Sequence, residues 1–254
     1  MSPADPALGL LEPLDPRTRE AAVLDALAAM IERAGLAIGD RLPPEVQLAQ
    51  SLGVGRSTIR ESLKRLEGLG VIRRRRGDGT YLAARLPPPS PAVPVMVRLE
   101  GEALLRLLEV RRAIEIEACR KAALRATPPQ RAQIARLCDD LLAIVERRGE
   151  YRPADMAFHA AIAEASGNPM FGQILSRLDA LFERSAESPF SRSAFGLRSF
   201  PPHRDLSDAI QRGDADSAVA AIGAIIDTVE EEIRQIIAEG PASPHPPREA
   251  QDHA

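Results

Sequence analysis

Tryptophan is absent from this 254-residue sequence, and aromatic residues make up only 3% of it. Cysteine and histidine are scarce too, with two and four copies, and the cysteines Cys119 and Cys138 form no metal-ligand spacing. No apolar run approaches the ~20 residues of a membrane helix, and the N-terminus lacks the basic and apolar regions of a signal peptide. These absences exclude a disulfide framework and histidine-rich chemistry, and they predict a cytoplasmic protein.

Neither sign of charge is in excess, because 33 basic side chains nearly balance 36 acidic ones. The balance differs along the chain: residues 15–85 carry a net charge of +4, residues 1–14 carry −2 and residues 86–254 carry −5. Five prolines within residues 87–94 forbid a helix there and favour an extended spacer. The predicted organisation is a disordered N-terminus (1–14), a basic domain (15–85), a proline-rich linker (86–100), a second domain (101–239) and a disordered tail (240–254).

The basic domain has the pattern of a helix-turn-helix followed by a hairpin. Three helices are predicted. The first covers 15–34, the second is short and begins at the Pro-Pro pair of residues 43–44, which suits a first helical turn, and the third covers 56–69. A Gly-Val-Gly turn separates the last two helices. The next stretch, VIRRRRGDGTYLA, predicts two strands joined at residues 77–79. This order is that of a winged helix, whose recognition helix enters the major groove of DNA.

Basic side chains are placed on this domain as a DNA-binding surface requires. Arg56, Arg60 and Lys64 advance by four residues and form one row along the third helix. An arginine fork matches guanine O6 and N7, whereas contacts to phosphate set register without reading sequence. A run of arginines such as 73–76 is also common on a solvated strand edge, and the combination of turn, helix and wing favours DNA. The candidate DNA-binding residues are Arg41, Arg56, Ser57, Thr58, Arg60, Lys64, Arg75, Arg76, Gly77 and Gly79.

The domain resembles the DNA-binding domain of the GntR family of bacterial transcriptional regulators. The matching elements are Leu42-Pro43, Val54-Gly55-Arg56, Arg60-Glu61 and Gly77-Asp78-Gly79-Thr80. The resemblance implies that Arg56 and Arg60 contact DNA and that Gly77 lets the wing backbone approach the groove. Two positions depart from the family pattern: Val46 replaces a frequent phosphate-binding arginine, and Gly55 replaces the usual serine that caps the recognition helix. We expect both departures to weaken non-specific affinity.

From residue 101 onward the sequence has the pattern of helix throughout. Six helices are predicted at about 102–126, 128–148, 152–166, 169–187, 202–212 and 214–239. Short connections between them predict an all-α bundle, so the predicted fold class is mostly α with one small β-hairpin wing. This layout resembles the FadR-like subgroup of the GntR family, whose C-terminal FCD domain binds an effector.

Polar residues interrupt the inward faces of these helices. Arg111 and Glu115 lie on the apolar face of the first helix, which predicts either an internal ion pair or a guanidinium offered to a ligand carboxylate. Asp155 and His159 lie one helical turn apart, a spacing that lets both bind one metal ion. His203 lies on another apolar face, where a histidine is otherwise a satisfied core residue.

The resemblance to FCD proteins covers this polar set. It implies that an aspartate and three histidines hold a divalent metal, which in turn binds a small organic acid. Asp155, His159 and His203 match three of these ligands, but Ile225 stands at the position of the last histidine. We therefore predict either a zinc or nickel site with three protein ligands and an open position, or an ion-free site whose histidines contact an anion directly. The predicted effector-binding residues are Arg111, Glu115 and Asn168.

Together these features predict a sequence-specific transcriptional regulator, which we expect to be a repressor and not an enzyme. Two chains would associate through their C-terminal bundles and place two winged helices on a pseudo-palindromic operator. A small carboxylate effector would change the affinity for this operator. Two alternatives stay open: an effector-independent DNA-binding dimer whose ligand site has decayed at Ile225, and a metal-dependent hydrolase whose site activates water.

Overall fold

A computed structural model of the chain describes residues 16–86, 90, 92–180, 188–191 and 194–240. The predicted disordered ends therefore lie outside the described residues, apart from Gly240. Contacts between backbone positions divide the chain into two compact units, residues 1–100 and 101–254. Within the described part, no helix combines the length and apolarity needed to cross a membrane.

The described secondary structure is mostly helical, as predicted. The helices are α1 (Pro16–Arg33), α2 (Glu45–Leu52), α3 (Arg56–Gly68), α4 (Val95–Arg125), α5 (Pro128–Glu146), α6 (Arg152–Ala165), α7 (Pro169–Ala180), α8 (Pro201–Arg212) and α9 (Ala215–Glu239). Two short 3-10 helices are Pro189–Ser191 and Leu197–Ser199. The strands β1 (Ile72–Arg75) and β2 (Gly79–Leu82) form the only sheet among the described residues.

The first unit is a winged helix, as predicted. Gly53 ends α2 in the left-handed conformation, with φ 63°, and this lets the chain turn into α3. The wing is an antiparallel pair in which Ile72 lies opposite Leu82, and an isolated bridge joins Arg41 to Tyr81 at its edge. The core of this unit is apolar and includes Leu24, Leu27, Ile31, Ile59, Leu63, Leu66 and Leu82. Ile59, Leu63 and Leu66 recur at helical spacing and form the buried face of α3.

Helix α4 begins at Val95 and not near residue 102, where the sequence predicts a start. The carbonyl of Pro94 accepts the N–H of Arg98, so the last proline of the spacer leads directly into the helix. Val95 and Leu99 are buried in the core of the first unit, which explains why this segment is helical. Residues 95–100 of the predicted linker are thus helix.

All the regular secondary structure described in the second unit is helical. Helix α8 packs against α9 and α5, and α6 packs against α5 and α7. Asp214 caps α9, because its carboxylate accepts the N–H of Ser217 at 3.0 Å. Helix α7 ends at Ala180 in the described residues, and the predicted remainder to residue 187 lies outside them. Five of these helices, α4, α6, α7, α8 and α9, contribute residues to the lining of a pocket.

Candidate functional site

The recognition helix α3 presents opposite faces to the core and to water. Ile59 is fully buried, whereas Arg56, Arg60 and Lys64 are exposed, as the row predicted from the sequence requires. Ser57 is exposed too, and the remaining candidate on this helix, Thr58, is half-buried. The predicted row is therefore accessible to a large polyanion.

One member of the row, Arg60, is paired across the surface with a carboxylate of α2. Its Nη2 lies 3.2 Å from Oε2 of Glu45, and the other carboxylate oxygen, Oε1, accepts from Nη2 of Arg74 at 2.8 Å. Glu45 thus bridges the recognition helix and strand β1. Sequence reasoning missed this residue, because its two partners lie 15 and 29 positions away along the chain.

The wing carries exposed arginines held by local contacts. The guanidinium of Arg75 lies 4.9 Å from the ring centre of Tyr81, and Arg76 is exposed at the start of the turn. Gly77 adopts φ 76°, a left-handed conformation that favours glycine at the tip. A Cβ on Gly79 would lie 2.6 Å from Nε of Arg41, so glycine lets that side chain cross the wing. All the predicted wing residues lie on or beside this hairpin.

The second unit contains a pocket of about 730 Å³. One wall is apolar and includes Leu108, Ile225, Ile226 and Val229. Other lining residues are polar, and a further, aromatic wall comes from residues 190–191 and 195–200, with Phe190, Phe195 and Phe200. Sequence reasoning missed this aromatic wall. Its signal was the concentration of three of the chain's six phenylalanines within eleven residues.

Asp155, His159 and His203 meet in this pocket. The helical spacing predicts the first two together, and the resemblance to FCD proteins implies the third. Each offers a ligand atom, and these atoms all lie within 4.8 Å of one another. Nδ1 of His203 lies 3.0 Å from the carbonyl of Ser199, and because a carbonyl only accepts, this nitrogen carries the proton. Nε2 then faces Oδ1 of Asp155 at 3.1 Å. In a neutral imidazole this contact would join two acceptors, so a proton or a cation belongs between them.

Burial and neighbouring charges shift the pKa values of Asp155 and His159. Burial raises the pKa of Asp155, but the hydrogen bond from His203 and the nearby charges outweigh it and hold that pKa below its usual value. Burial also lowers the pKa of His159, more than the Asp155 and Glu115 carboxylates raise it. An ionised carboxylate beside a neutral imidazole is the state that a divalent metal requires.

Arg111 and Glu115 form the internal ion pair that was one of the two interpretations of their spacing. Nε of Arg111 donates to Oε1 of Glu115 at 2.6 Å, and the Glu115 side chain is only 5% exposed. The second oxygen of Glu115 lies 3.8 Å from Nδ1 of His159, too far for a hydrogen bond. Both residues line the pocket, so the pair is part of its polar region.

Comparison with known proteins assigns both units. The profile of the gntR family of bacterial regulatory proteins matches residues 19–82, and that of the FCD domain matches residues 106–228. The HTH-type transcriptional regulator LutR of Bacillus subtilis is 31% identical over 211 residues, which cover 80% of this chain and 95% of LutR. A putative L-lactate dehydrogenase operon regulatory protein of Escherichia coli is 34% identical over 220 residues, covering 82% and 83% of the two chains. The chain belongs to the gntR family.

The family assignment confirms the predicted class of protein. This gntR-family protein is a DNA-binding transcriptional regulator with an FCD domain, and its relatives are regulators and not enzymes. A solved GntR-family regulator from Pseudomonas syringae shares the fold, with a TM-score of 0.52, 17% identity and coverage of 89% of each chain.

The structure bears on two expectations about the proposed ligand site, one at Ile225 and one at Asn168. Ile225 is buried in the pocket wall, so the position where the resemblance implies a fourth ligand carries an apolar side chain without donor atoms. Asn168 is not among the pocket-lining residues of the described chain. Its side chain instead accepts the N–H of Met170 at 3.1 Å, so it caps α7.

Proposed function

We propose that this regulator reads its operator with α3 and the wing, and that a small carboxylate bound in the pocket of the second unit changes this binding. The observation that carries the effector site is the meeting of Asp155, His159 and His203 within 4.8 Å in a pocket. The observation that carries the DNA surface is the exposed row Arg56, Arg60 and Lys64.

The proposed roles on DNA divide into reading and positioning. Arg56 and Arg60 reach base edges from the exposed face of α3, where arginine forks pair with guanine. Residues at the helix start, Ser57 and Thr58, and Lys64 contact phosphate, together with Arg41 and the wing residues Arg75, Arg76, Gly77 and Gly79. Two chains, joined through their FCD domains, place these surfaces on the two halves of a pseudo-palindromic operator. Bound near a promoter in the bacterial cytoplasm, such a dimer represses transcription.

Selection of duplexes from a library with a random central region tests the DNA roles on the full chain. We expect enrichment of a symmetric motif, and Arg60→Ala should reduce binding to the selected duplex by about 1 to 3 kcal/mol while barely changing binding to random duplex. Arg76→Ala should weaken both equally and lower the salt slope by about 1. Arg33→Ala, which removes an exposed arginine of α1, is the matched control. Equal losses on all duplexes for Arg60→Ala would contradict a reading role.

Asp155, His159 and His203 are the residues proposed to hold a divalent metal. Their two imidazole nitrogens and one carboxylate oxygen suit Zn²⁺ or Ni²⁺. The hydrogen bond from Nδ1 of His203 to the Ser199 carbonyl supports this, because it directs the lone pair of Nε2 towards Asp155. When bound, the metal supplies an electrophilic anchor for a carboxylate, and Ile225 leaves it without a fourth protein ligand.

Charge supports a metal-dependent anion site over direct binding of an anion to the histidines. The charged residues that line the pocket are Arg111, Arg152, Glu115, Glu150 and Asp155, two positive and three negative. Arg111 is held by Glu115 at 2.6 Å, so its charge is largely balanced. These five charges sum to −1 and so do not favour a carboxylate, and a bound divalent cation would reverse that sign.

Metal content and thermal stability test this site. Protein purified without chelator or nickel should carry zinc or another divalent metal, and less than about a tenth of an equivalent would contradict the metal role. The E. coli relative is named as a putative regulator of an L-lactate dehydrogenase operon, which makes L-lactate the first compound to test. L-lactate should raise the melting temperature of zinc-loaded protein by roughly 2 to 4 °C and leave chelator-treated protein unchanged.

The same measurements separate the remaining alternatives. A response to L-lactate that survives chelation would favour direct contact between the histidines and the anion. No response to any of a panel of small carboxylates, with or without zinc, would favour a decayed site. Turnover of a bound acid would favour the hydrolase.

A further inference from the structure

The carboxylate of Glu45 lies on the surface proposed to face DNA, where a negative charge opposes binding. It belongs to the first turn of α2, and its side chain is 22% exposed. A carboxylate near phosphates lowers non-specific affinity, since that affinity comes from neutralising phosphate charge. Its presence there calls for a compensating role.

Each oxygen of Glu45 contacts a different arginine. Oε2 lies 3.2 Å from Nη2 and 3.4 Å from Nε of Arg60, so it engages the side-on edge of that guanidinium. Oε1 accepts from Nη2 of Arg74 at 2.8 Å, and the backbone N–H of Arg74 donates to Glu67 of α3 at 2.9 Å. The carboxylate is thus fixed between α2, α3 and β1.

This arrangement limits the orientation of Arg60. A guanidinium has a second, end-on edge formed by Nη1 and Nη2, and that edge can pair with guanine while the first edge stays on Glu45. The Arg60 side chain is 55% exposed, so it would otherwise sample many rotamers in water. A fixed fork loses less entropy when it pairs with the correct base and adapts less well to a wrong one.

We infer that Glu45 is a positioning residue for sequence discrimination. It holds the Arg60 guanidinium in the orientation that pairs with one particular base, and its negative charge lowers the non-specific affinity for DNA. The inference rests on the proposed DNA surface. It assigns Glu45 no contact with DNA, because its effect reaches the bases through Arg60.

Two variants of the full chain separate charge from position. Glu45→Gln removes the negative charge and weakens the hold on both arginines. We expect binding to a random-sequence duplex to tighten by about 3- to 10-fold and the salt slope to steepen by about 1. The preference for the selected duplex over the random one should fall by about 10-fold. Glu45→Asp keeps the charge but shortens the side chain by one methylene. This variant should therefore lose the preference for the selected duplex without binding random duplex more tightly. Glu32→Gln, at an exposed carboxylate of α1, is the charge control.

A double-mutant cycle with Arg60→Ala completes the test. In the Arg60→Ala background, Glu45→Gln should reduce the preference no further, whereas a merely structural role would give the same loss in both backgrounds. Melting temperatures of all variants identify any that fail to fold. If wild type shows no preference for any duplex, the proposed DNA surface fails. If wild type discriminates and both Glu45 variants keep its preference, or lose specific and random binding in parallel, the role of Glu45 is overturned.

Discussion

The winged helix and the pocket bring their side chains together in different ways. On the winged helix, Arg56, Arg60 and Lys64 lie within nine residues of one helix and stay exposed. In the pocket, Asp155 and His203 are 48 residues apart in the chain and belong to different helices. A surface for a polyanion needs charge that water can reach, because the phosphates replace that water. A pocket for a small ligand needs groups that are already desolvated and fixed.

The two regions also differ in what a broken contact costs. The Arg60 side chain of the Arg60–Glu45 pair is 55% exposed, so the pair contributes only about 0 to 1 kcal/mol to stability. The Arg111–Glu115 pair includes a side chain that is 5% exposed, and removing one partner of such a pair costs about 3 to 5 kcal/mol. Variants of the surface therefore report on binding, whereas variants of the pocket also report on folding and need matched controls.

The largest effect that separates the two regions is expected from Asp155→Asn. This variant keeps the shape of the side chain but removes the charge of a proposed ligand, so zinc affinity should fall by at least about 100-fold. Affinity for the selected duplex without effector should stay within about 2-fold of wild type, because the proposed role of Asp155 is to hold the metal that binds the effector. Isothermal titration with zinc and fluorescence anisotropy with labelled duplex measure the two quantities.

Glu150→Gln is the control for that variant, since it removes another carboxylate that lines the same pocket but is not in the ligand group. Zinc affinity should change little. A loss of DNA affinity in Asp155→Asn alone, without zinc or effector, would show that Asp155 supports DNA binding by a route other than ligand binding.

A smaller effect, in the opposite direction, is expected from Ile225→His. The side chain at this position lines the pocket beside three proposed ligands, so an imidazole there adds a fourth donor. Zinc affinity should rise by about 10-fold, and the response to L-lactate should weaken because the open position is filled. Ile226→His, at the next residue of the same wall, is the control. Unchanged zinc affinity in Ile225→His would mean that this position does not face the metal.

Much of the winged helix could be predicted because its information is local. Periodicity, the Gly-Val-Gly turn and the Gly-Asp-Gly hairpin specify α2, α3 and the wing within about 40 residues. The role proposed for Glu45 could not be predicted, because it depends on which arginines the fold brings beside it. The start of α4 at Val95 could not be predicted for a similar reason, since burial of Val95 and Leu99 favours a helix directly after prolines that predict an extended segment.

The pocket could be predicted only in part. One helical turn links Asp155 to His159, and that spacing is visible in the sequence. The approach of His203, by contrast, depends on the packing of α6 and α8 around α5. The sequence left two interpretations for Arg111 and Glu115, and only the fold shows them paired. Asn168 was placed in the site by resemblance, but the proline that follows it begins a helix, and a cap satisfies its side chain.

The smallest effect concerns the aromatic wall of the pocket. The half-buried carboxylate of Glu232 accepts the N–H of Gly196, a wall residue, at 3.0 Å. Burial raises the pKa of Glu232 more than this hydrogen bond lowers it. A carboxyl whose pKa is higher in the folded state binds more protons there, so its ionisation removes stability as the pH rises through that pKa.

Glu232→Gln keeps an acceptor and removes the free-energy cost of ionising this half-buried carboxyl. Its free energy of unfolding in urea should exceed that of wild type by a few tenths of a kcal/mol at pH 8, since solvent screens a half-exposed group. The difference should shrink towards pH 5, and a difference that grows as the pH falls would mean that the ionised carboxylate stabilises this wall.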